Sequence, residues 1–139
     1  MRDIAYVALG SNLGDRERYL AVARDAIGRL PRTTVLAATA VEETAPFGPP
    51  QPQYLNQMVA IETDLSPHEL LAALLDIERA AGRLRREKWG PRTLDLDIVK
   101  YEGQVVSEDS LRVPHPGLQD RDFWRRELAD LTSRVARQP

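Results

Sequence analysis

The chain has 139 residues, 42% of them hydrophobic and 29% charged, with a formal net charge of -2 and no cysteine. We expect a single domain over residues 1–139, since this length suffices for one core. The absence of cysteine excludes disulfides, thiolate catalysis and cysteine-ligated zinc. The charge balance argues against non-specific nucleic-acid binding, which needs a surplus of positive charge. No apolar run approaches the roughly 20 residues of a membrane helix, and residues 1–6 lack a signal-peptide core, so we expect a cytoplasmic protein without membrane partners.

The first half of the chain alternates between strand and helix patterns. Residues 4–9 are an apolar run typical of a buried strand, and the turn and cap residues of 10–15 end it. Apolar residues then recur at helical spacing, at Leu20, Ala23, Ile27 and Leu30. Residues 33–41 and 54–63 alternate as strands. The proline-rich loop 45–53 between them excludes both helix and sheet.

The second half predicts two helices with one main strand between them. Ser66–Glu69 is a capping box with proline at the first helical position, and Gly82 stands where a C-terminal cap belongs. The apolar face of this helix comprises Leu70, Leu71, Leu74, Leu75, Ile77 and Ala81. Residues 93–100 predict the strand, which a turn at 102–103 joins to a short hairpin partner at 104–106. The final helix packs on the sheet through Trp124, Leu128, Leu131 and Val135.

The order of these elements predicts an α+β fold. Strand, helix, strand, strand, helix, strand is the ferredoxin-like βαββαβ sandwich, with a mixed or antiparallel sheet and helices on one face. The other face is then left for a ligand site, framed by the segments that follow the second and fourth strands. Fold alone does not give the function.

Asp95 and Asp97 lie two residues apart within the apolar run Leu94–Val99. A strand places both carboxylates on one face, where something must neutralise them. One interpretation is a solvent-facing strand with an ion pair to Arg92. The other is a magnesium site, because Mg²⁺ is held by one or two carboxylates, water and phosphates. Residues 79–92 hold six basic residues and one acidic one, which favours magnesium with a polyphosphate, since arginine pairs bidentately with phosphate.

The segment Lys88-Trp-Gly-Pro-Arg-Thr-Leu-Asp-Leu-Asp-Ile-Val99 resembles the central motif of the 6-hydroxymethyl-7,8-dihydropterin pyrophosphokinases. Further motifs resemble that family in the same order along the chain: Gly10–Leu13, Tyr54–Asn56, Val113–Pro116 and Arg121–Phe123. The resemblance covers about residues 4–124. It implies an ATP-dependent diphosphotransferase of folate biosynthesis, which transfers pyrophosphate from ATP to the hydroxymethyl group of a reduced pterin and releases AMP. It also implies a monomer.

The resemblance implies roles for residues in three groups. Two Mg²⁺ ions would be held by Asp95 and Asp97, and the catalytic residues would be Arg83, Arg92, Asp95 and Asp97. The residues that would bind ATP are Glu78, Arg85, Trp89, Arg92, Ile98, His115 and Arg121. Those that would bind the pterin are Thr44, Ala45, Phe47, Tyr54, Asn56, Trp89, Asp95 and Phe123.

Several of these residues have simpler interpretations. Tyr54, Trp89 and Phe123 could be ordinary core aromatics, and a surface ion pair with Arg79 would explain Glu78. A lone histidine such as His115 is more often structural than functional, although the flanking prolines hold this one rigidly.

The sequence also departs from the family pattern. Residues 124–139 differ from the family's usual ending, and Ala45 and Ser110 stand where some relatives carry proline and arginine. The alternatives that stay open are a ferredoxin-like regulatory module that binds a metabolite without catalysis, and a magnesium-dependent hydrolase or nucleotidyltransferase. A two-metal carboxylate pair argues against the first of these.

Overall fold

The structure, a computed structural model, describes residues 2–46, 48, 50–82 and 93–137. The strands in these ranges are β1 (Asp3–Ser11), β2 (Thr33–Ala38), β3 (Glu42–Thr44), β4 (Tyr54–Thr63), β5 (Asp95–Tyr101), β6 (Val106–Ser107) and β7 (Arg112–Val113). The helices are α1 (Arg16–Gly28), α2 (Pro67–Ala80) and α3 (Asp122–Ala136), with a 3₁₀ helix at Pro116–Gln119. None of the helices in the described ranges is long and apolar enough to cross a bilayer.

The main sheet has the strand order β2-β4-β1-β5, with every neighbouring pair antiparallel. This arrangement confirms the predicted α+β ferredoxin-like fold. The predicted strand 33–41 ends early, at Ala38, and β3 at Glu42–Thr44 is a further strand that was not predicted. β2 and β3 pair with different parts of β4. Thr39 lies between them: its N–H donates to the carbonyl of Met58 at 2.9 Å, and its hydroxyl accepts from the Met58 N–H at 3.0 Å.

Helices α1 and α2 cover one face of the sheet. The buried side chains there are Leu20, Ala23 and Ile27 of α1, Leu70 and Leu74 of α2, and Ala5, Val7 and Leu9 of β1. The predicted capping box is present, since the Ser66 hydroxyl accepts from the Glu69 N–H and the Glu69 carboxylate accepts from the Ser66 N–H. Gly82 follows α2 with φ of +76°, as a glycine C-terminal cap requires.

The side of the sheet away from α1 and α2, called the opposite face below, is also partly apolar. Tyr6 and Ala8 point to it from β1, and Trp124 and Leu131 of α3 pack in the same buried cluster. The sequence predicts all helices on one face of the sheet, whereas α3 lies on the opposite face. The physical reason is that β1 is apolar on both sides, so each side needs a cover.

The predicted hairpin between the fourth main strand and residues 104–106 is wrong. β6 pairs with β7, with Val106 opposite Val113, and not with β5. The chain leaving β5 is tied to the start of β1 instead. The Asp3 carboxylate accepts from the Gly103 N–H at 3.1 Å, and this contact directs the chain away from β5.

Candidate active site

Polar side chains converge on the opposite face, at the end of the sheet beyond α3. In the pairing register, Gly10 of β1 has Asn56 of β4 on one side and Asp95 of β5 on the other. The next position along β1, Ala8, lies beside Asp97. Both aspartates are half-buried while Leu96 between them is buried, so the alternation of β5 presents the two carboxylates on one face as predicted.

His115 lies next to Asp97. The register between β1 and β5 shifts at Val99, and the carbonyl of Val99 accepts from the His115 N–H at 2.9 Å. His115 Nε2 is 3.6 Å from Asp97 Oδ1, while His115 Nδ1 accepts from the Gly117 N–H at 2.8 Å. In the neutral imidazole the proton is therefore on Nε2, on the side of the carboxylate.

His115 and Arg121, from the two motifs Val113–Pro116 and Arg121–Phe123 (the late motif), contact Trp124, which is 4% exposed. The His115 ring meets Trp124 edge-on at a centroid distance of 5.0 Å, and the Arg121 guanidinium lies 4.5 Å from the centre of the same ring. A Cβ on Gly117 would lie 2.1 Å from Arg121 Nη1 and 3.0 Å from His115 Nδ1. Gly117 thus lets an imidazole and a guanidinium lie side by side. The sequence predicts Trp124 only as a core residue, although its position three residues after Arg121 is compatible with a contact between the two side chains.

A second group of predicted residues is assembled by β3 and β4. Thr44 lies opposite Tyr54, and Asn56 Nδ2 donates to Thr44 Oγ1 at 2.5 Å. Asn56 is 7% exposed, whereas Tyr54 is only partly buried and Ala45 is exposed. Core packing therefore does not account for Tyr54.

Phe123 lies at the start of α3, partly buried, with its ring centroid 6.4 Å from that of Trp124. It is not a fully buried core aromatic either. It packs against the buried cluster of the opposite face while the residue stays partly exposed.

The segment that follows β1 is hydrogen-bonded to the end of the proline-rich loop 45–53. The sequence did not predict this contact. Asn12, which is 1% exposed, donates to Gln51 Oε1 at 2.7 Å and to the Pro52 carbonyl at 3.0 Å. Arg16 donates to the Gln53 carbonyl at 2.9 Å. These contacts fix the residues that lead into Tyr54.

Glu78 lies behind the aspartate pair. It is 2% exposed and continues the buried row of Leu70 and Leu74 along α2. Its Oε2 accepts from the backbone N–H of Leu96 at 2.7 Å, and Leu96 is the residue between the two aspartates. The surface ion pair with Arg79 that the sequence allowed is wrong, because Glu78 is buried and Arg79 pairs with Asp76.

We predict that Glu78→Ala lowers the free energy of unfolding by about 1–3 kcal/mol, because the buried Leu96 N–H loses its acceptor. Glu78→Gln keeps an acceptor oxygen and should retain most of that stability. Chemical denaturation and hydrogen exchange at the Leu96 amide would measure the effect. Equal losses in both variants would show that the charge of Glu78 matters, and not its hydrogen bond.

A cavity of about 340 Å³ opens beside Asp97 and His115. Its lining residues are Leu71, Leu96, Asp97, Ile98, Asp109, Ser110, Leu111, Arg112, His115 and Pro116. A lining of both apolar and polar side chains suits an aromatic base attached to a charged group. Ile98, predicted at the nucleotide, lines this cavity although its side chain also belongs to the core under α2.

Five predicted residues lie outside the described ranges: Phe47, Arg83, Arg85, Trp89 and Arg92. The ion pair between Arg92 and the aspartates, which was the simpler interpretation of the pair, lies outside them for the same reason. Roles for these residues stay predictions.

The carboxylate pair fits a magnesium ion in its donor chemistry. No cluster of three or more histidine, aspartate or glutamate side chains that could hold a metal occurs within residues 2–46, 48, 50–82 and 93–137. Two carboxylates on one face leave most coordination positions to water and phosphate, which is the usual protein environment of Mg²⁺.

Comparison with known proteins gives one consistent result. The family model described as 7,8-dihydro-6-hydroxymethylpterin-pyrophosphokinase matches residues 6–133. A Bacillus subtilis 2-amino-4-hydroxy-6-hydroxymethyldihydropteridine pyrophosphokinase is 42% identical over 139 residues, covering 99% of this chain and 83% of the relative. A Pseudomonas aeruginosa protein of the same description is 45% identical over 127 residues, covering 91% of this chain and 78% of the relative.

Proposed function

This chain belongs to the 7,8-dihydro-6-hydroxymethylpterin-pyrophosphokinase family, and we propose that the opposite face of its sheet is where the family's reaction takes place. The enzyme is an ATP-dependent diphosphotransferase that acts in folate biosynthesis. It transfers pyrophosphate from ATP to the hydroxymethyl group of 6-hydroxymethyl-7,8-dihydropterin. The observation that supports the proposed site is the row Asn56–Gly10–Asp95, because the amide predicted to bind the pterin and the first of the two carboxylates lie on either side of Gly10.

The reaction requires alignment and charge neutralisation more than covalent help. The hydroxymethyl oxygen attacks the β-phosphorus of ATP, the bond from that phosphorus to the α-phosphate oxygen breaks, and AMP leaves. The hydroxyl proton is lost to solvent. The protein must therefore hold the hydroxymethyl arm and the triphosphate in line.

As an ATP-using kinase the enzyme uses Mg²⁺, and we propose two ions with Asp95 and Asp97 as their protein ligands. When bound, the ions would neutralise charge on the triphosphate oxygens. The half-buried position of both carboxylates on one face supports this assignment.

His115 and Arg121 are proposed to bind phosphate oxygens of ATP. The Nε2–H of His115 is a donor held in place by the Gly117 N–H on the other ring nitrogen. The Arg121 guanidinium lies over the Trp124 ring, and this cation–π contact helps to hold it beside His115. We propose that the adjoining cavity, which Ile98 helps to line, binds the adenine of ATP.

The pterin is proposed to lie at the other end of the same row. A flat heteroaromatic with an amide-like edge needs aromatic faces and an in-plane amide partner. Tyr54 and Phe123 supply partly exposed rings, and Asn56 is oriented by its hydrogen bond to Thr44. Ala45 would border the ring only at its rim, since it is exposed.

The resemblance also assigns residues whose roles rest on it alone. Arg83 and Arg92 are proposed to act during transfer, Arg85 to bind ATP, Phe47 to bind the pterin, and Trp89 to contact both substrates. We further propose that the enzyme works in the cytoplasm, where ATP is available. The resemblance also implies a monomer, and we propose that the enzyme works as one.

Product analysis tests this function. The enzyme is incubated with ATP, Mg²⁺ and 6-hydroxymethyl-7,8-dihydropterin, and nucleotide products are separated by chromatography. We expect AMP and the pterin diphosphate in equal amounts, and no AMP when the pterin is omitted. Formation of ADP, or of AMP without the pterin, would instead indicate a hydrolase or a nucleotidyltransferase.

A further inference from the structure

The backbone conformation at Gly10 does not require a glycine. It is buried within β1 and paired on both sides. The described glycines with positive φ are Gly14, Gly48 and Gly82, so the conformation of Gly10 is open to any residue. Glycine within a strand costs stability and often marks a place where another group approaches closely. The reason for Gly10 must therefore lie in its missing side chain.

The missing side chain would occupy the candidate site. A Cβ at Gly10 would lie 3.2 Å from Tyr54 Cδ1 and 3.4 Å from Asn56 Oδ1. The preceding residues of β1 on this face, Tyr6 and Ala8, are buried in the cluster with α3. The side chains of β1 thus become smaller from Tyr6 to Ala8 to Gly10, toward the end of the sheet where the predicted ligand residues converge.

We propose that Gly10 is a substrate-positioning residue, whose bare backbone forms the surface against which an edge of the pterin rests. This inference rests on the proposed function. Neighbouring strands are about 4.8 Å apart, so Asn56 and Asp95 lie about 10 Å apart across Gly10. A flat two-ring molecule can extend from the amide at Asn56 toward the carboxylate at Asp95 only if no side chain rises between them.

The competing explanation is that Gly10 only makes room for the Tyr54 ring. The two explanations differ in what an added methyl group does to the protein without substrate. If the ring were the only constraint, Gly10→Ala would destabilise the free protein by displacing Tyr54, and any loss of pterin affinity would come with a matching fall in Tm. If the pterin rests on Gly10, the partly exposed Tyr54 ring gives by the few tenths of an ångström that a 3.2 Å contact demands. The free protein then keeps its stability and only pterin binding suffers.

The test compares Gly10→Ala with Gly28→Ala, whose Cβ would meet only Val35 Cγ2, at an ordinary 3.6 Å. Pterin affinity is measured by calorimetry with Mg²⁺ and a non-hydrolysable ATP analogue, and the affinity for the analogue and the Tm are measured separately. We expect Gly10→Ala to lose at least about tenfold in pterin affinity, the usual scale of overpacking by one methyl group. Its nucleotide affinity and Tm should match those of the wild type. Gly28→Ala should bind the pterin normally.

Unchanged pterin affinity in Gly10→Ala, or a loss of pterin affinity accompanied by a matching fall in Tm, would overturn the inference. A measurement on the wild type does not depend on folding of the variant: an intermolecular nuclear Overhauser effect is expected between the Gly10 Hα protons and a pterin ring proton, and its absence in the saturated complex counts against the proposal. If the wild type forms no pterin-dependent AMP, the proposed function itself fails. If it does and Gly10→Ala binds the pterin normally, only the role of Gly10 fails.

Discussion

Asp97→Asn is expected to reduce pterin-dependent AMP formation on the order of a thousandfold, the scale seen when one electrostatic contact to a transition state is removed. Asparagine preserves the shape of the side chain but removes the charge that would hold Mg²⁺ against the triphosphate. The fold should not suffer. Asp95 and Asp97 are like charges on one face of β5, so removing one leaves the metal-free protein at least as stable as the wild type.

Opposite effects on activity and stability distinguish a functional carboxylate from a structural one. Asp76→Asn is a matched control, because Asp76 is exposed on α2 and pairs only with Arg79 among the described contacts. Initial rates over a range of Mg²⁺ concentrations, together with Mn²⁺ binding in the presence of an ATP analogue, would show whether the loss lies in metal binding. An Asp97→Asn enzyme with rates near those of the control would refute a metal-binding role for Asp97.

The architecture was predictable because its signals are local. The capping box at Ser66 and the strand pattern at 54–63 each depend on neighbours within a few residues, and both elements are present in the structure, although the strand is buried along nearly its whole length. The predicted hairpin failed because its outcome depends on Asp3, about 100 residues away in sequence, whose carboxylate accepts from Gly103. The position of α3 likewise depends on which sheet face remains uncovered, and local periodicity carries no information about that.

The candidate site was predictable to the extent that its residue types carry chemistry. Asp97 and His115 were singled out from their motifs, and the fold brings them within 3.6 Å of each other. The roles of Gly10, Asn12 and Trp124 could not be derived from their residue types, because they depend on the groups that lie next to them: Tyr54 and Asn56, the proline-rich loop, and the His115 ring. Such contacts arise only when distant segments meet.

A buried carboxyl group on α3 gives the second large expected effect. Glu127 is 3% exposed, and no donor in the described part of the chain reaches either of its oxygens. Burial, followed by the nearby Glu42 carboxylate, raises the pKa of Glu127 to about 8, while Arg126 opposes the shift. Glu42 belongs to β3 and lies opposite Asn56 of β4. The charge of Glu127 therefore acts on the strand β3, which lies next to the proposed pterin residues.

The raised pKa predicts that the fold loses stability as the pH rises. The folded protein keeps a proton on Glu127 up to about pH 8, whereas the unfolded chain releases it near pH 4.5, so stability falls between these values. At about 1.4 kcal/mol per pH unit, the free energy of unfolding is expected to fall by about 3 kcal/mol between pH 5.5 and pH 8.

Glu127→Gln should abolish this part of the pH dependence, because the neutral amide needs no proton to remain buried beside Glu42. The variant is therefore expected to be more stable than the wild type at pH 8.5 and similar to it at pH 5.5. Urea denaturation across this range would measure the difference, with Glu17→Gln, an exposed position on α1, as the control for loss of one carboxylate. Parallel stability curves for the wild type and Glu127→Gln would mean that Glu127 is already ionised in the folded protein, with its charge balanced by Arg126 and not by a proton.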